Sequence, residues 1–201
     1  MEVTADRVRS AAELTGLIGA GVVPEYLLFW GHRAPPGDGV GSGCLSQWWP
    51  AGFAVGGIAY TSAEQYMMWE KALLFGDAGT AEQIRRARHP GDAKRLGRQV
   101  RGFDERAWAR RRYGIVVEGN LAKFGQNPAL AAFLLGTSGK VLVEAAPGDR
   151  IWGIGLTAAD EDATHPERWR GLNLLGFALM EVRHRLAAEL ASRPARGACS
   201  P

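Results

Sequence analysis

Apolar residues recur at helical spacing most clearly between Ser62 and Gly76, in the stretch SAEQYMMWEKALLFG. Ser62 and Gln65 form a capping-box pattern, in which each side chain can serve a backbone N–H at a helix start. Gly76 suits the helix end because glycine readily adopts the left-handed conformation. The pattern predicts a helix over residues 62–76, and we expect the rest of the chain to be organised around it.

One stripe of this helix mixes apolar and charged positions, and it consists of Glu64, Met68, Lys71 and Phe75. Residues seven apart differ by about 20° around a helix axis, so Glu64 and Lys71 lie almost in line. Burying an unpaired charge is costly, which favours a functional site or an interior salt bridge here. The alternative is a solvated stripe, with burial confined to the face carrying Tyr66, Trp69 and Leu73.

Further helical patterns follow on either side of this stretch. Thr80 is a candidate cap for one of them and Asp104 is a good N-cap for the longest. The helices are predicted at residues 10–18, 81–88, 90–100, 104–124, 128–135 and 173–191.

Strand patterns are fewer and shorter than the helical ones. Residues 26–30 and 140–145 are compact apolar runs, and residues 53–61 alternate around Gly56-Gly57 as in a hairpin. The fold class predicted is α+β, a predominantly helical single domain with a small β-sheet over residues 1–192. Residues 193–201 are predicted to be a disordered tail.

Composition limits the class of protein. The 201 residues are 46% hydrophobic with a mean hydropathy of -0.14, and no apolar run approaches the ~20 residues of a membrane span. The N-terminus does not resemble a signal peptide, and two cysteines suit a reducing compartment, so we expect a cytoplasmic protein without membrane partners. The four histidines show no ligand spacing, and neither a metal nor another cofactor is expected.

Charge is unevenly distributed along the chain. Residues 85–112 hold eleven Arg or Lys against three acids, a local charge of +8, whereas the rest of the chain carries -5. Such a segment favours anionic partners, including nucleic acid. The alternative is an ordinary solvated set of helix faces.

A second candidate site follows the 140–145 strand. Asp149 lies in a Gly-rich turn, and Trp152 offers an aromatic surface for a base or sugar. The backbone around Gly153-Ile154-Gly155 could cradle phosphate, although it is neither a GxGxxG motif nor a P-loop. An Asp in a turn also commonly bonds its own backbone, which is the structural alternative. Lys71 beside apolar residues could act as an amine nucleophile, with Glu64 holding it or moving its proton.

Taken together, these segments resemble the YbiA/NADAR family over residues 26–186. Separate motifs carry the resemblance in order along the chain, and they are Leu45-Ser46-Gln47-Trp48, Thr61-Ser62-Ala63-Glu64-Gln65-Tyr66 with Lys71, Gly97-Arg98, Trp108 with Phe124, Asp149-Arg150-Ile151-Trp152-Gly153, and Gly171-Leu172-Asn173-Leu174-Leu175-Gly176 with Leu179-Met180. Two motif positions depart from the family, because Gln47 stands for a usual Asn and Leu172 for a usual Lys. Residues 34–43 look like an insertion beside the site.

The resemblance implies an N-glycosidase that cleaves the bond between ribose C1′ and an exocyclic amine. We favour removal of ADP-ribose from guanine in nucleic acid, as an antitoxin or repair activity. The alternatives are a ribosylamino-pyrimidine phosphate of riboflavin synthesis as substrate, and a non-catalytic ADP-ribose-binding module.

The resemblance also implies roles for individual residues. Lys71, Glu64 and Asp149 are the predicted catalytic residues, with attack either by Lys71, through a Schiff base, or by water activated by a carboxylate. The predicted substrate-binding residues are Trp108, Trp152, Arg98, Asn173, Phe29, Trp30, Gly31, Ser46, Trp48 and Gly153. Trp108 and Trp152 are expected to stack on base or ribose, Arg98 to meet phosphate, and Asn173 to contact phosphate or sugar.

Overall fold

A computed structural model describes residues 7–37 and 39–192. Its helices are α1 (Ala11–Gly19), α2 (Ala63–Leu74), α3 (Ala78–Arg86), α4 (Pro90–Gly97), α5 (Glu105–Gly125), α6 (Pro128–Leu135) and α7 (Leu174–Ser192). Its strands are β1 (Glu25–Phe29), β2 (Phe53–Val55), β3 (Ile58–Tyr60) and β4 (Lys140–Glu144), and three short 3₁₀ helices lie at Ser42–Leu45, Glu161–Thr164 and Pro166–Arg168. The predicted α+β class, mostly helical with little sheet, is confirmed; the predicted tail at 193–201 lies outside the described residues.

The strands form two separate pairs. β1 and β4 run parallel, with Glu25 opposite Lys140 and Phe29 opposite Glu144. β2 and β3 form the predicted antiparallel hairpin, and Gly56 and Gly57 both have positive φ in its turn. The central strand pair is covered by helix, since α7 packs on β4.

Helix α2 lies at the centre of the helical part, as the pattern predicted. It packs against α3, α4 and α5, and α5 packs in turn against α7. Ser62 Oγ accepts a hydrogen bond from the Gln65 N–H, at 3.2 Å. The Gln65 side chain instead accepts from the Thr61 N–H and donates to three carbonyls at the end of α3, which ties α2 to its neighbour.

The start of α3 differs from the prediction. Asp77, not Thr80, caps this helix: its carboxylate accepts from the Thr80 N–H at 3.2 Å. The same carboxylate accepts two side-chain hydrogen bonds from Arg101, so a long-range contact supports the earlier start. Helix α4 ends at Gly97, three residues before the predicted end.

Candidate active site

A cavity of about 550 Å³ opens between α2, α4, the loop after β4 and the segment before β2. Acidic, basic, aromatic and thioether side chains all face it. Its lining consists of Ser46, Gln47, Trp48, Glu64, Met67, Met68, Lys71, Lys94, Gly97, Arg98, Glu144, Gly148, Asp149, Arg150, Ile151 and Trp152. The three predicted catalytic residues therefore share one cavity.

Glu64 is the most deeply buried of the predicted catalytic side chains, with 4% of its surface exposed. Burial is the main cause that raises its pKa, to about 7, and the negative charge of Asp149 adds to the effect. Lys94, a hydrogen bond from Trp48 and Arg98 act in the opposite direction. A carboxyl that titrates near neutrality can exchange protons with a substrate or water.

Lys71 is half-buried between aromatic rings. Its Nζ donates to the Gly97 carbonyl at 2.9 Å and lies 4.1 Å from the centre of the Phe103 ring and 5.7 Å from that of Trp108. Desolvation lowers its pKa, against the opposing charge of Glu105. The lowered pKa increases the fraction of neutral amine, which is the nucleophilic form.

The structure does not show the predicted contact between Glu64 and Lys71. Among the described residues, no ion pair within 4.0 Å joins them, and Lys71 points its amine at a backbone carbonyl instead. The charge that acts most strongly on Glu64 is that of Lys94, from α4. The two residues thus share the cavity without forming a pair.

Asp149 stabilises a turn and also lines the cavity. Its Oδ1 accepts from the N–H groups of Ile151 and Trp152, at 2.9 and 2.8 Å, which makes it a turn former. The same side chain lines the cavity beside Trp152. Its local hydrogen bonds therefore hold the carboxylate in position at the cavity wall.

Two cationic side chains line the cavity, one from α4 and one from the residue that follows it. Lys94 and Arg98 are one helical turn apart, and both line the cavity. The Lys94 Nζ also lies 5.7 Å from the centre of the Trp48 ring. Arg98 was predicted as a phosphate contact, but Lys94 was not predicted as a site residue. The four-residue spacing between Lys94 and Arg98 is the signal that could have identified it.

Two smaller cavities continue from the first, one after the other. One, of about 290 Å³, is lined by Trp30, Gly31, Ser46 and Trp48 among others, and so contains four predicted substrate-binding residues. The next, of about 390 Å³, shares Trp30 and Gly31 with it and adds Arg33, which immediately precedes the predicted insertion. Trp30 is 69% exposed, so its indole face is open to a ligand.

Four predicted substrate-binding residues are absent from the linings of these cavities. Phe29 is a core residue, and Trp108 is a buried residue whose ring lies near the amine of Lys71. Gly153 is packed so closely that an added Cβ would lie 2.8 Å from the Glu144 carbonyl oxygen. These three residues are therefore part of the packed interior and not of the cavity linings.

Asn173, the fourth of these residues, has backbone partners on β4. It is fully buried, with φ of 52°, and its side chain bridges two backbone groups of β4. Its Oδ1 accepts from the Glu144 N–H and its Nδ2 donates to the Leu142 carbonyl, both at 2.9 Å. Because both ends of the amide are occupied by backbone groups, these contacts position β4.

Besides Lys94, two further charged residues of the site were missed by sequence reasoning. Glu144 ends β4 and lines both the main and the adjoining cavity. Lys123 is fully buried behind Ser46, and its Nζ donates to the carbonyls of Cys44 and Ser46 at 2.7 and 2.8 Å. Burial lowers the pKa of Lys123 to about 7. Their only sequence signal is a charge inside an apolar pattern.

Neither metal-binding nor membrane-spanning features emerge from the parts of the chain that the structure describes. No group of three His, Cys, Asp or Glu side chains in residues 7–37 and 39–192 could hold a metal ion. No helix in those ranges is long and apolar enough to cross a membrane.

Comparison with known proteins identifies the family. A model of the NADAR domain matches residues 28–187. Since that match covers most of the chain, the protein belongs to the NADAR family, as its motifs predicted.

Individual relatives agree with this assignment. The chain is 43% identical over 164 residues to the N-glycosidase R617 of Acanthamoeba polyphaga mimivirus, covering 79% of this chain and 95% of that protein. It is 33% identical over 141 residues to the N-glycosidase YbiA of Escherichia coli (strain K12), covering 70% and 78%. It is also similar to the maize riboflavin biosynthesis protein PYRR, chloroplastic, with 35% identity over 106 residues, 51% of this chain and 15% of that protein.

A solved structure extends the similarity to the fold. The NMR structure of the E. coli protein YbiA superposes with a TM-score of 0.66 at 26% identity, over 98% of this chain and 100% of that chain. The arrangement of helices around the small sheet is therefore the YbiA arrangement.

Proposed function

We infer that this protein is a hydrolase acting on N-glycosyl bonds, and we propose that it cleaves ribose C1′ from an exocyclic amine. The enzyme class predicted from the sequence is confirmed by relatives named N-glycosidases. One observation supports the proposed bond above all. Glu64, Lys71 and Asp149 face a single cavity together with the cations Lys94 and Arg98.

The proposed reaction begins with the amine of Lys71. An amino-riboside can open its ring to an imine at C1′, which a neutral amine can attack. The Lys71 Nζ then forms a bond to C1′, the original C1′–N bond breaks, and a Schiff base remains on the lysine. Water adds to that Schiff base, and the ribose leaves as its free sugar. The lowered pKa of Lys71 supports this sequence of steps.

Glu64 is assigned to the second half of the reaction. Because it does not pair with Lys71, it is free to accept a proton from the attacking water. Its pKa of about 7 suits that exchange at neutral pH. In the alternative without a Schiff base, Glu64 or Asp149 activates water for direct attack at C1′.

The substrate proposed is a guanine base that carries ADP-ribose. The cavities along Trp30, Gly31 and Arg33 extend the site beyond the space around Lys71, and a pyrophosphate-linked substrate can use that extension. The exposed indole of Trp30 offers a stacking surface for a base. The cations Lys94 and Arg98 suit the phosphates.

A ribosylamino-pyrimidine phosphate of riboflavin synthesis is the second candidate, and similarity to the maize riboflavin biosynthesis protein favours it. The third candidate, an ADP-ribose-binding module without turnover, makes no use of a sheltered amine beside a carboxyl of raised pKa. The geometry therefore favours turnover.

The test is to incubate the protein separately with an oligonucleotide containing ADP-ribosylated guanine and with the aminopyrimidine riboside phosphate. We expect guanine to be restored in the first, and a borohydride-reduced adduct to appear at Lys71. Lys71→Ala should lower turnover by about 10³-fold or more and abolish the adduct, whereas Lys140→Ala, a half-exposed lysine on β4, should do neither.

Each outcome bears on a different part of the proposal. Release from the pyrimidine substrate alone would favour the second candidate. Full turnover by Lys71→Ala would refute the Schiff-base route. Binding of ADP-ribose without release from either substrate would favour the third candidate.

A further inference from the structure

Glu144 is a carboxyl in the cavity wall that the steps above do not use. Its backbone is held on both sides: its N–H donates to Asn173 Oδ1 and its carbonyl accepts from the Ile154 N–H, each at 2.9 Å. The parallel partner strand adds a third constraint, since Glu144 lies opposite Phe29. The Cα and the direction of this side chain are therefore fixed by surrounding structure.

The carboxyl itself is poorly satisfied by the protein. Its Oε2 is shielded from solvent and has no hydrogen-bond partner among the described residues. The charged groups that face it are Asp149 from the following loop, Glu64 from α2 and Lys94 from α4. Burial and the two carboxylates raise the pKa of Glu144 to about 8, against the effect of Lys94. The group is thus mainly neutral at pH 7 and can donate a hydrogen bond or a proton.

Cleavage of a bond from C1′ to nitrogen needs such a donor. When this bond breaks, its electron pair goes to the nitrogen, and an amine that leaves without a proton is a poor leaving group. This need is the same whether Lys71 or water attacks C1′. The group that supplies the proton must lie in the same cavity as the attacking group.

We propose that Glu144 is the general acid of the reaction, donating its proton to the nitrogen that departs from ribose C1′. The inference rests on the proposed function. Glu144 becomes a carboxylate as the amine leaves, and it regains a proton when water is consumed at C1′. Water therefore supplies both the oxygen added to C1′ and, in balance, the proton carried away by the amine.

The other two carboxyls are less suited to this step. Asp149 Oδ1 is occupied by two backbone N–H donors. Glu64 accepts a hydrogen bond from Trp48 and faces both Lys94 and Arg98. Of the three, Glu144 is the one with a shielded carboxyl oxygen that has no hydrogen-bond partner among the described residues. We therefore assign the general acid to Glu144 and the general base to Glu64.

The test compares leaving groups of different basicity. Ring-substituted N-ribosyl-anilines, from methoxy to nitro, vary the demand for a proton on the departing nitrogen. We expect wild-type kcat to vary little across the series. Glu144→Gln should lower kcat for basic anilines on the order of 10²–10⁴-fold and should recover toward the wild-type rate for nitroaniline. Its KM should stay within a few-fold of wild type.

The matched control is Glu25→Gln, an exposed carboxyl at the start of the partner strand, which should leave the series unchanged. If Glu144→Gln shows the same dependence on leaving group as wild type, the inference is overturned while the proposed function stands. If wild type cleaves no N-riboside at all, the proposed function is overturned together with the inference.

A measurement on unmodified protein covers the case in which Glu144→Gln does not fold. As pH rises through about 8, Glu144 loses its proton, so the wild-type rate should become more dependent on leaving-group basicity. A dependence that is constant from pH 6 to pH 9.5 would refute the assignment of Glu144.

Discussion

Burial moves four ionisable side chains around the cavity toward their neutral forms. The pKa values of Glu64 and Glu144 are raised, and those of Lys71 and Lys123 are lowered, with desolvation as the first cause in each case. Low polarity disfavours every isolated charge, so acids keep protons and amines lose them. One physical cause therefore prepares proton donors and an amine nucleophile at the same pH.

The pKa of Glu64 leads to a prediction on stability. Between about pH 4.5, its ordinary value, and pH 7, the folded protein binds more protons at this site than the unfolded chain, so stability falls as pH rises through that window. Glu64→Gln removes this loss. We expect the variant to exceed wild type at pH 8 by up to about 3 kcal/mol and to match it near pH 4.5.

Thermal or urea unfolding at the two pH values measures this difference. Glu25→Gln, whose side chain is 79% exposed, serves as the control and should show no such pH-dependent gain. A gain of the same size at both pH values would mean that Glu64 acts through packing and not through its charge.

At the residue scale, sequence patterns singled out Glu64, Lys71 and Asp149, which all line the cavity. They did not single out Glu144 and Lys94, which also line it, or the buried Lys123. The first three stand in familiar motifs or break an amphipathic stripe. Lys123 lies in a long helix where an isolated lysine is normally solvated, and only the closeness of the Cys44 and Ser46 carbonyls explains its burial. Such contacts join residues almost 80 positions apart.

At the scale of elements, α7 and β4 are joined by the amide of Asn173. This residue immediately precedes α7 in the left-handed region, which asparagine tolerates better than most residues. Its amide satisfies two backbone groups at the end of β4, beside Glu144. These two bonds make Asn173 a clamp on β4, whereas the ligand contact that the resemblance implied stays a prediction.

A substitution distinguishes a clamp from a ligand contact. Asn173→Ala leaves the Glu144 N–H and the Leu142 carbonyl without those partners, which should destabilise the protein by about 2–4 kcal/mol. Because Glu144 is displaced with β4, kcat should also fall. The measurements are chemical denaturation and steady-state kinetics on one preparation.

Asn127→Ala is the matched control, since its amide also bonds backbone carbonyls and Asn127 does not line the cavity. It should lower stability with little effect on kcat. An Asn173→Ala protein with unchanged stability and only a raised KM would support the ligand contact and contradict the clamp.

Local patterns also explain where element prediction succeeded and failed. Asp104 caps α5 as predicted, by accepting from the Ala107 N–H. The start of α3 was wrong because Asp77 is a stronger cap than Thr80 and is held by Arg101, 24 residues later. A cap supported by a distant side chain cannot be ranked from local sequence alone.

At the scale of the whole molecule, the cations of the basic segment 85–112 lie in different surroundings. Five of its eleven cations are paired with acids, and they are Arg85 and Arg86 with Glu82, Arg95 with Asp92, Arg101 with Asp77, and Arg112 with Glu105. Lys94 and Arg98 instead line the cavity. The exposed pair Arg110 and Arg111, on α5, is a candidate surface for a polyanion.

The proposed nucleic-acid substrate predicts a salt effect. The kcat/KM on an ADP-ribosylated oligonucleotide should fall with rising salt, because phosphate contacts release counterions. Arg110→Ala/Arg111→Ala should reduce the slope of that dependence by roughly 1–2 units, and cleavage of the corresponding mononucleotide should change little.

Arg185→Ala, an exposed arginine on α7, provides the comparison and should leave the slope unchanged. Equal salt dependence for oligonucleotide and mononucleotide would argue that these arginines are ordinary solvated side chains.

The sequence by itself determined the helices, the hairpin, the family and the presence of an acid and an amine on one stripe of α2. These features depend on caps, periodicity and motifs, whose physical basis extends over a few neighbouring residues. Tertiary structure alone decided which charges meet. Packing of α4 on α2 brings Lys94 toward Glu64, and pairing of β1 with β4 places Glu144 at the same wall. Since burial sets the protonation of these groups, their chemistry was decided by the assembled fold.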